Sequence, residues 1–303
     1  MVYYIGHFNI EDLVYPDYSM KGTAGGAALY AAMGGYLWSR SISVISRIGS
    51  EYPQEYLNTL DELNIETHFT VIEGETMASV TEYRPGQDRK FMMKNVPAKL
   101  LELTPDLEDV MKSNIEEGSY VHLGPFNLDL LDSIVTYLKK KNCFVSIDTC
   151  DAFVLEDQDK MLDIIAKADL FMPSASELLS FKTKNRELNN IAKWISKQTG
   201  SLVIYKDSIR GSYVPVGDEY VNIPVYDMAK IKDLTGAGDS FCGAFLANYS
   251  LKKDIIECAV RANVTSSLAI EGCGALHYYQ TSEEELNKRR TYILTKMEDI
   301  SNG

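Results

Sequence analysis

The sequence predicts an α/β fold in which a mostly parallel central sheet carries helices on both faces. Short apolar segments rich in β-branched and aromatic residues alternate along the chain with longer segments of helical periodicity. The apolar segments are hydrophobic throughout rather than at every second residue, which is typical of strands buried on both faces. With 303 residues, of which 45% are hydrophobic and 24% charged, the chain is long enough to bury the core of such a fold.

The predicted strands and helices follow one another in the order that crossover connections require. The strands are residues 2–6, 43–48, 120–124, 144–148, 170–172 and 202–205. The helices between them include residues 27–38, 54–63, 128–141, 160–167 and 187–198. Because parallel strands need a long connection, usually a helix, this alternation favours a parallel sheet.

Two regions interrupt the alternation. Residues 67–93 read as extended pieces separated by turn-forming segments at 73–75 and 84–88, and residues 13–19 are also extended. We therefore predict one domain over residues 1–303, with a small β lid formed by about residues 13–19 and 67–93. Residues 211–224 form the second interruption and are predicted to be a β-hairpin.

The charge balance excludes several classes of partner. The 30 Lys and Arg residues against 43 Asp and Glu residues give a net charge of −13, which repels nucleic acids and anionic membranes. A phosphorylated ligand would need local backbone amides, a helix N-terminus or a bound cation. The sequence shows neither a signal peptide nor a membrane-spanning run, so we expect a cytoplasmic protein.

The segment 233–239, which reads Asp-Leu-Thr-Gly-Ala-Gly-Asp, is the sharpest chemical motif in the chain. Its two glycines indicate a tight turn, in which we expect Gly238 to adopt a positive φ, and the following residues have a helical pattern. Amides that converge at a helix N-terminus form an anion site. Asp239 lies in the first turn of that helix, where an ionised carboxylate can accept a proton from a hydroxyl. An ordinary helix cap by Asp239 is the alternative interpretation of such a string.

Residues 233–241 closely resemble the C-terminal signature of the ribokinase-like carbohydrate kinases, also called the pfkB family. Further landmarks agree with that family in order: the segment 6–12, the pair Gly25-Gly26 before an Ala-rich helix, Arg47-Ile48-Gly49, and Ala262-Asn263 with Gly274-Ala275. The resemblance implies a ribokinase-like fold and transfer of the γ-phosphoryl group of ATP to a hydroxyl of a sugar, polyol or nucleoside. It also implies Mg²⁺ and, as in some members, a monovalent cation such as K⁺.

The resemblance assigns roles on the phosphate side of the site. It implies that Asp239 is the catalytic base and that Gly236, Ala237 and Gly238 form the anion hole. Glu177 matches a family glutamate that organises Mg²⁺ through water, although Ser174 replaces the asparagine of that element. Capping of a short helix is the other interpretation of Glu177.

The nucleotide side is implied by four further positions: Lys206, Gly211, Thr235 and Asn263. Ser208 replaces a glycine of the family pattern that Lys206 and Gly211 otherwise match. Asp233 and Thr235 correspond to the place where some members bind the monovalent cation. A solvated lysine at a strand end is the alternative interpretation of Lys206.

The acceptor side departs most from the family. The resemblance assigns this side to Glu11, which replaces an aspartate, to Asp12, Gly25 and Gly26, and to Tyr30, which replaces an asparagine. Ala152 stands where many members have an arginine that would clamp an anion. We therefore predict an uncharged sugar or polyol as acceptor, although Arg84, Arg89 and Lys90 of the predicted lid are an opposing observation.

Two other functions fit the sequence. The first is a nucleoside kinase, because Tyr3, Phe8 or Tyr30 would be suitable for stacking on a base. The second belongs to another class and is a non-catalytic sensor that binds a sugar or a nucleotide. In each case the partner is a small molecule, and the chain is expected to be a monomer or a homodimer that pairs through the lid.

Overall fold

The computed structural model describes residues 1–83, 90–94, 98–184 and 186–302, whose elements follow the predicted α/β order. The strands are β1 (Val2–Ile5), β2 (Asn9–Val14), β3 (Ser19–Gly25), β4 (Ile42–Gly49), β5 (Glu66–Ile72), β6 (Ala78–Glu82), β7 (Lys90–Met93), β8 (Tyr120–Leu123), β9 (Phe144–Ile147), β10 (Leu170–Phe171), β11 (Leu202–Val203), β12 (Tyr205–Lys206), β13 (Ser212–Val216) and β14 (Glu219–Ile223). The helices are α1 (Ala27–Tyr36), α2 (Gln54–Glu62), α3 (Ala98–Leu103), α4 (Leu107–Lys112), α5 (Leu128–Lys140), α6 (Asp151–Glu156), α7 (Gln158–Ile165), α8 (Ala175–Ser180), α9 (Leu188–Thr199), α10 (Ala237–Ser250), α11 (Ile255–Ala269) and α12 (Glu283–Asn302).

The central sheet has the order β11-β10-β9-β8-β1-β4-β5. All its neighbouring strands pair in parallel. The predicted fold class is therefore confirmed, and most predicted strands and helices differ from the observed bounds by only one or two residues at their ends. The predicted hairpin is also present, as the antiparallel pair β13–β14.

Both faces of the sheet are buried, which explains the continuous hydrophobicity of its strands. Along β1, the side chains of Val2 and Tyr4 belong to a core shared with α1, α10 and α11. Those of Tyr3 and Ile5 belong to the opposite core, shared with α5, α7 and α9. Because successive side chains of a strand point to opposite faces, a strand between two helical layers has no polar face.

A second, four-stranded sheet has the order β3-β2-β6-β7 and is called the small sheet below. It corrects the predicted lid boundaries, because β5 pairs with β4 in the central sheet and residues 13–19 contain the reversal between β2 and β3. A short extended segment does not indicate which strand it pairs with, so the prediction assigned β5 to the wrong sheet. The predicted turn at 84–88, with Arg84, lies outside the described residues, as does Arg89.

No helix in the described part of the chain combines the length and the apolar character needed to cross a membrane.

Candidate functional site

A cleft of about 950 Å³ opens beyond the carboxyl ends of β9 and β10. One end is lined by Asp148, Glu177, Lys206 and the first turn of α10. The other end is lined by residues of α11 and α12 and by the segment 225–231. Ligands of parallel α/β folds commonly bind at this edge of the sheet, where the strand ends converge.

The turn before α10 has the shape that the sequence motif indicates. Gly236 is the N-cap of α10 and has a φ of 73°, a left-handed conformation. A Cβ at Gly236 would lie 2.2 Å from Cδ1 of Tyr30, so a side chain is excluded by space as well as by conformation. The first amides of a helix lack intrahelical acceptors, which makes this turn a suitable anion site.

Gly238 differs from the expectation, since Gly236 and not Gly238 adopts the positive φ. Gly238 is the second residue of α10, and a Cβ there would lie 3.7 Å from Nζ of Lys206, an ordinary contact distance. One glycine therefore makes the turn, and the other leaves room between the helix start and Lys206. Asp239 follows in the same turn of α10 and lines the cleft.

The side chain of Lys206 is 14% exposed and lies opposite this turn. Its Nζ forms a 2.7 Å ion pair with Oδ2 of Asp148 and lies 3.3 Å from Sγ of Cys242. Burial alone would lower the pKa of Lys206, but the neighbouring Asp148, Cys242 and Glu177 raise it above its usual value. Lys206 therefore stays positively charged, and the alternative of a solvated lysine is wrong.

Glu177 forms the predicted helix cap, and its carboxylate also faces the cleft. It forms a capping box at the start of α8, accepting from the backbone N–H of Ser174 at 2.7 Å while Ser174 Oγ accepts from the N–H of Glu177. It also lines the cleft beside Asp148 and Lys206. Burial, together with the charge of Asp148, raises the pKa of Glu177 to about 7.

On the acceptor side, Glu11 and Tyr30 are brought together. Tyr30 donates its hydroxyl hydrogen to Oε2 of Glu11 at 2.9 Å, and the two residues are 1% and 4% exposed, respectively. Burial raises the pKa of Glu11 to about 7, the charges of Asp233 and Asp239 add to the rise, and the hydrogen bonds from Tyr30 and Gly26 oppose it. This side of the site therefore disfavours additional negative charge.

The double glycine accommodates Glu11. A Cβ at Gly25 would lie 2.1 Å from Cδ of Glu11, so only glycine leaves space for this carboxylate. Gly26 is the N-cap of α1 and has a φ of 101°. Asp12, by contrast, forms an ion pair with Lys94 and accepts from the N–H of Gly22 at 2.9 Å. Both partners lie in the small sheet or directly after one of its strands.

The other residues expected on the nucleotide side differ in their contacts. Asn263 lines the cleft and donates to the carbonyl oxygens of Ile223 and Pro224 at 2.8 and 3.2 Å. Gly211 also lines the cleft and has a φ of 92°. Thr235 contacts the hydroxyl of Tyr83 at 3.2 Å and donates its N–H to Asp233 at 3.0 Å.

Two polar residues of the site were not predicted from the sequence. Asp148 follows β9 and forms an ion pair with Lys206. Its position at the end of a strand was the one feature of the sequence that could have indicated this role. Asn9 lies on the same face of β2 as Glu11 and donates to Ser79 Oγ at 3.2 Å. Its Oδ1 is buried and lacks a hydrogen-bond partner among the described residues.

Known proteins resemble this chain over most of its length. Residues 4–281 match the pfkB family carbohydrate kinases. A cytidine kinase of Thermococcus kodakarensis is 24% identical, covering 84% of this chain and 90% of the relative. A nucleoside kinase of Methanocaldococcus jannaschii is 25% identical, covering 93% of each.

One similar structure is a fructokinase double mutant from Vibrio cholerae with fructose, ADP and a potassium ion bound. It has a TM-score of 0.76 and 20% identity, over 95% of this chain and 97% of the fructokinase chain. A likeness at this identity shows the fold, which is ribokinase-like. The match to the family spans most of the sequence, and the chain therefore belongs to the pfkB family of carbohydrate kinases.

Proposed function

We propose that the protein is an ATP-dependent kinase that transfers the γ-phosphoryl group to a hydroxyl of an uncharged sugar or polyol. The observation that carries this proposal is the first turn of α10, which joins an anion site at Gly236, Ala237 and Gly238 to the carboxylate of Asp239. Phosphoryl transfer depends on positioning, charge neutralisation and a proton acceptor, and this turn supplies groups suited to each.

In the proposed mechanism, Asp239 accepts the proton of the attacking hydroxyl. The acceptor oxygen forms a bond to the γ-phosphorus as the bond to the β-γ bridging oxygen breaks, and ADP leaves. The amides of the turn from Gly236 to Gly238 stabilise the charge on the transferred group, aided by the dipole of α10. Lys206, fixed by Asp148, supplies a positive charge opposite this turn.

Carboxylates of the cleft would contribute to holding the implied Mg²⁺ together with the ATP phosphates, since no group of three or more ligand residues in the described part of the chain could hold a metal ion by itself. The carboxylates of Asp148, Glu177 and Asp239 line the cleft and provide the oxygen donors that Mg²⁺ prefers, with Glu177 acting through water. When bound, Mg²⁺ neutralises phosphate charge. Oδ2 of Asp233 is buried with no hydrogen-bond partner in the described part of the chain, and a monovalent cation such as K⁺ would satisfy it.

Charge favours an uncharged acceptor. Glu11 is buried and lies within the electrostatic reach of Asp233 and Asp239, so a phosphorylated acceptor would add charge to a region that already disfavours it. The nearby cation Lys94 is paired with Asp12. The small sheet carries both Glu11 and Gly25, which supports its proposed role as a lid over the acceptor.

A nucleoside is the second candidate acceptor. It is favoured by the two relatives named above, a cytidine kinase and a nucleoside kinase, which match 84% and 93% of this chain. The two candidate reactions share the phosphate side of the site and differ only in the acceptor molecule that would bind beside Glu11.

A coupled assay of ADP release tests the proposal. The panel contains ATP and Mg²⁺ with free sugars, polyols, nucleosides and sugar phosphates, and Asp239→Asn is the inactive control. We expect kcat/KM for an uncharged acceptor to exceed that for every sugar phosphate. Preferred turnover of a sugar phosphate would refute the charge argument, and ATP binding without any product would favour the non-catalytic sensor.

A further inference from the structure

Tyr83 connects the small sheet to the turn that forms the anion site. It follows β6, and its hydroxyl donates to Oδ1 of Asp233, accepts from the N–H of Leu234 at 3.3 Å and contacts Oγ1 of Thr235 at 3.2 Å. Asp233 is 1% exposed and also accepts from the N–H of Thr235. One hydroxyl of the small sheet thus contacts the three consecutive residues that precede Gly236.

The ring of Tyr83 is held in place by the small sheet itself. Tyr15, which follows β2, stacks on Tyr83 with centroids 4.7 Å apart and an interplanar angle of 4°. Tyr18 stacks on the other side of Tyr15 at 4.4 Å. Because these rings belong to segments that flank β2 and β6, the position of the Tyr83 hydroxyl depends on the position of the small sheet.

The turn is held from a second side by the body of the molecule. The ring of Tyr30, which belongs to α1, lies against Gly236 so closely that a Cβ there would be 2.2 Å away. Tyr30 fixes one end of the turn to the helical layer, whereas Tyr83 fixes the residues just before it to the small sheet. Displacement of the small sheet would therefore remove the contacts of Tyr83 with residues 233–235. The Tyr30 ring is carried by α1 and would stay against Gly236, although its hydroxyl is bonded to Glu11 of β2.

We propose that Tyr83 is a positioning residue that places the anion-site turn when the small sheet covers the acceptor. This inference rests on the proposed function, because the turn matters for transfer only if it receives the phosphoryl group. Tyr83 acts through Asp233, Leu234 and Thr235 and needs no contact with substrate. Its loss should consequently affect kcat more than KM.

The test compares Tyr83→Phe with Tyr15→Phe. Both variants keep the ring stack and lose one hydroxyl, but among the described residues the Tyr15 hydroxyl has only a 4.0 Å contact with Sγ of Cys273. In hydrogen exchange of the protein without ligand, we expect amides of residues 233–240 to exchange about tenfold faster in Tyr83→Phe and unchanged in Tyr15→Phe, since a hydrogen bond to a carboxylate is lost in the first alone.

Kinetics provide the second readout, with the best acceptor from the panel. We expect kcat to fall about tenfold in Tyr83→Phe, with KM for acceptor and ATP changed by less than about twofold. Equal exchange in the two variants, or a change in KM with kcat preserved, would overturn the inference. If no acceptor is turned over, the proposed function fails, and the exchange data still decide whether Tyr83 holds the turn. If Tyr83→Phe does not fold, Thr235→Val, which removes one contact of the same hydroxyl, must show the same local exchange for the inference to stand.

Discussion

Replacement of Gly236 by alanine tests the central feature of the site, the left-handed turn that starts α10. A non-glycine residue in this region costs about 1–2 kcal/mol. The new methyl group would also lie 2.2–2.4 Å from ring atoms of Tyr30, which is buried and cannot move without disturbing its hydrogen bond to Glu11. Overpacking of this kind costs about 1–3 kcal/mol. The expected loss in the free energy of unfolding is therefore roughly 2–5 kcal/mol.

Gly238→Ala is the matched control in the same turn. Gly238 has no positive φ, and its Cβ would meet Lys206 at an ordinary distance of 3.7 Å. Since alanine is favoured over glycine in a helix, this variant should be unchanged in stability or more stable by up to about 1 kcal/mol.

Urea denaturation of both variants and the wild type measures the difference, and the coupled assay measures kcat. We expect Gly236→Ala to lose stability and kcat together, because relief of the clash must move either Tyr30 or the amides of the turn. Equal stabilities for Gly236→Ala and Gly238→Ala would refute the geometric reasoning. Loss of stability with wild-type kcat would show that the turn does not bind the transferred phosphoryl group.

Three further predictions concern charged groups of the site. Asp239→Asn should lower kcat by about 10²–10⁴-fold while ATP affinity measured by calorimetry is retained, since the amide cannot accept the hydroxyl proton; a near-normal kcat would exclude Asp239 as the base. The pKa of Glu11 is about 7 in the folded protein, against an ordinary value of 4.5. The protonated Glu11 therefore contributes to the free energy of unfolding in full below about pH 4.5, and this contribution is lost as the pH rises through 7. Between these two pH values, the free energy of unfolding measured by urea denaturation should fall by roughly 3 kcal/mol less in Glu11→Gln than in the wild type. Parallel pH profiles of the two proteins would contradict this. Lys206→Met should destabilise the protein by about 3–5 kcal/mol by leaving the buried Asp148 unpaired, and Lys206→Met combined with Asp148→Asn should recover most of that loss; an equally unstable double variant would show that the pair is not the cause.

The sequence by itself determined the features that depend on neighbouring residues. Uniform hydrophobicity identified the buried strands of the central sheet, because a strand covered on both faces has no polar side to show. The motif at 233–239 identified the helix start and the carboxylate of Asp239, since a Gly-rich turn before a helix is a local arrangement. The hairpin of β13 and β14 followed from turn residues between two extended segments for the same reason.

The tertiary structure alone decided which distant residues meet. It placed β5 in the central sheet, joined Lys206 to Asp148 across 58 positions, and brought the Tyr83 hydroxyl to Asp233 across 150 positions. It also assigned the positive φ to Gly236 and not to Gly238. Local periodicity records which face of an element is buried but not which element covers it, so these pairings arise only when the whole chain packs.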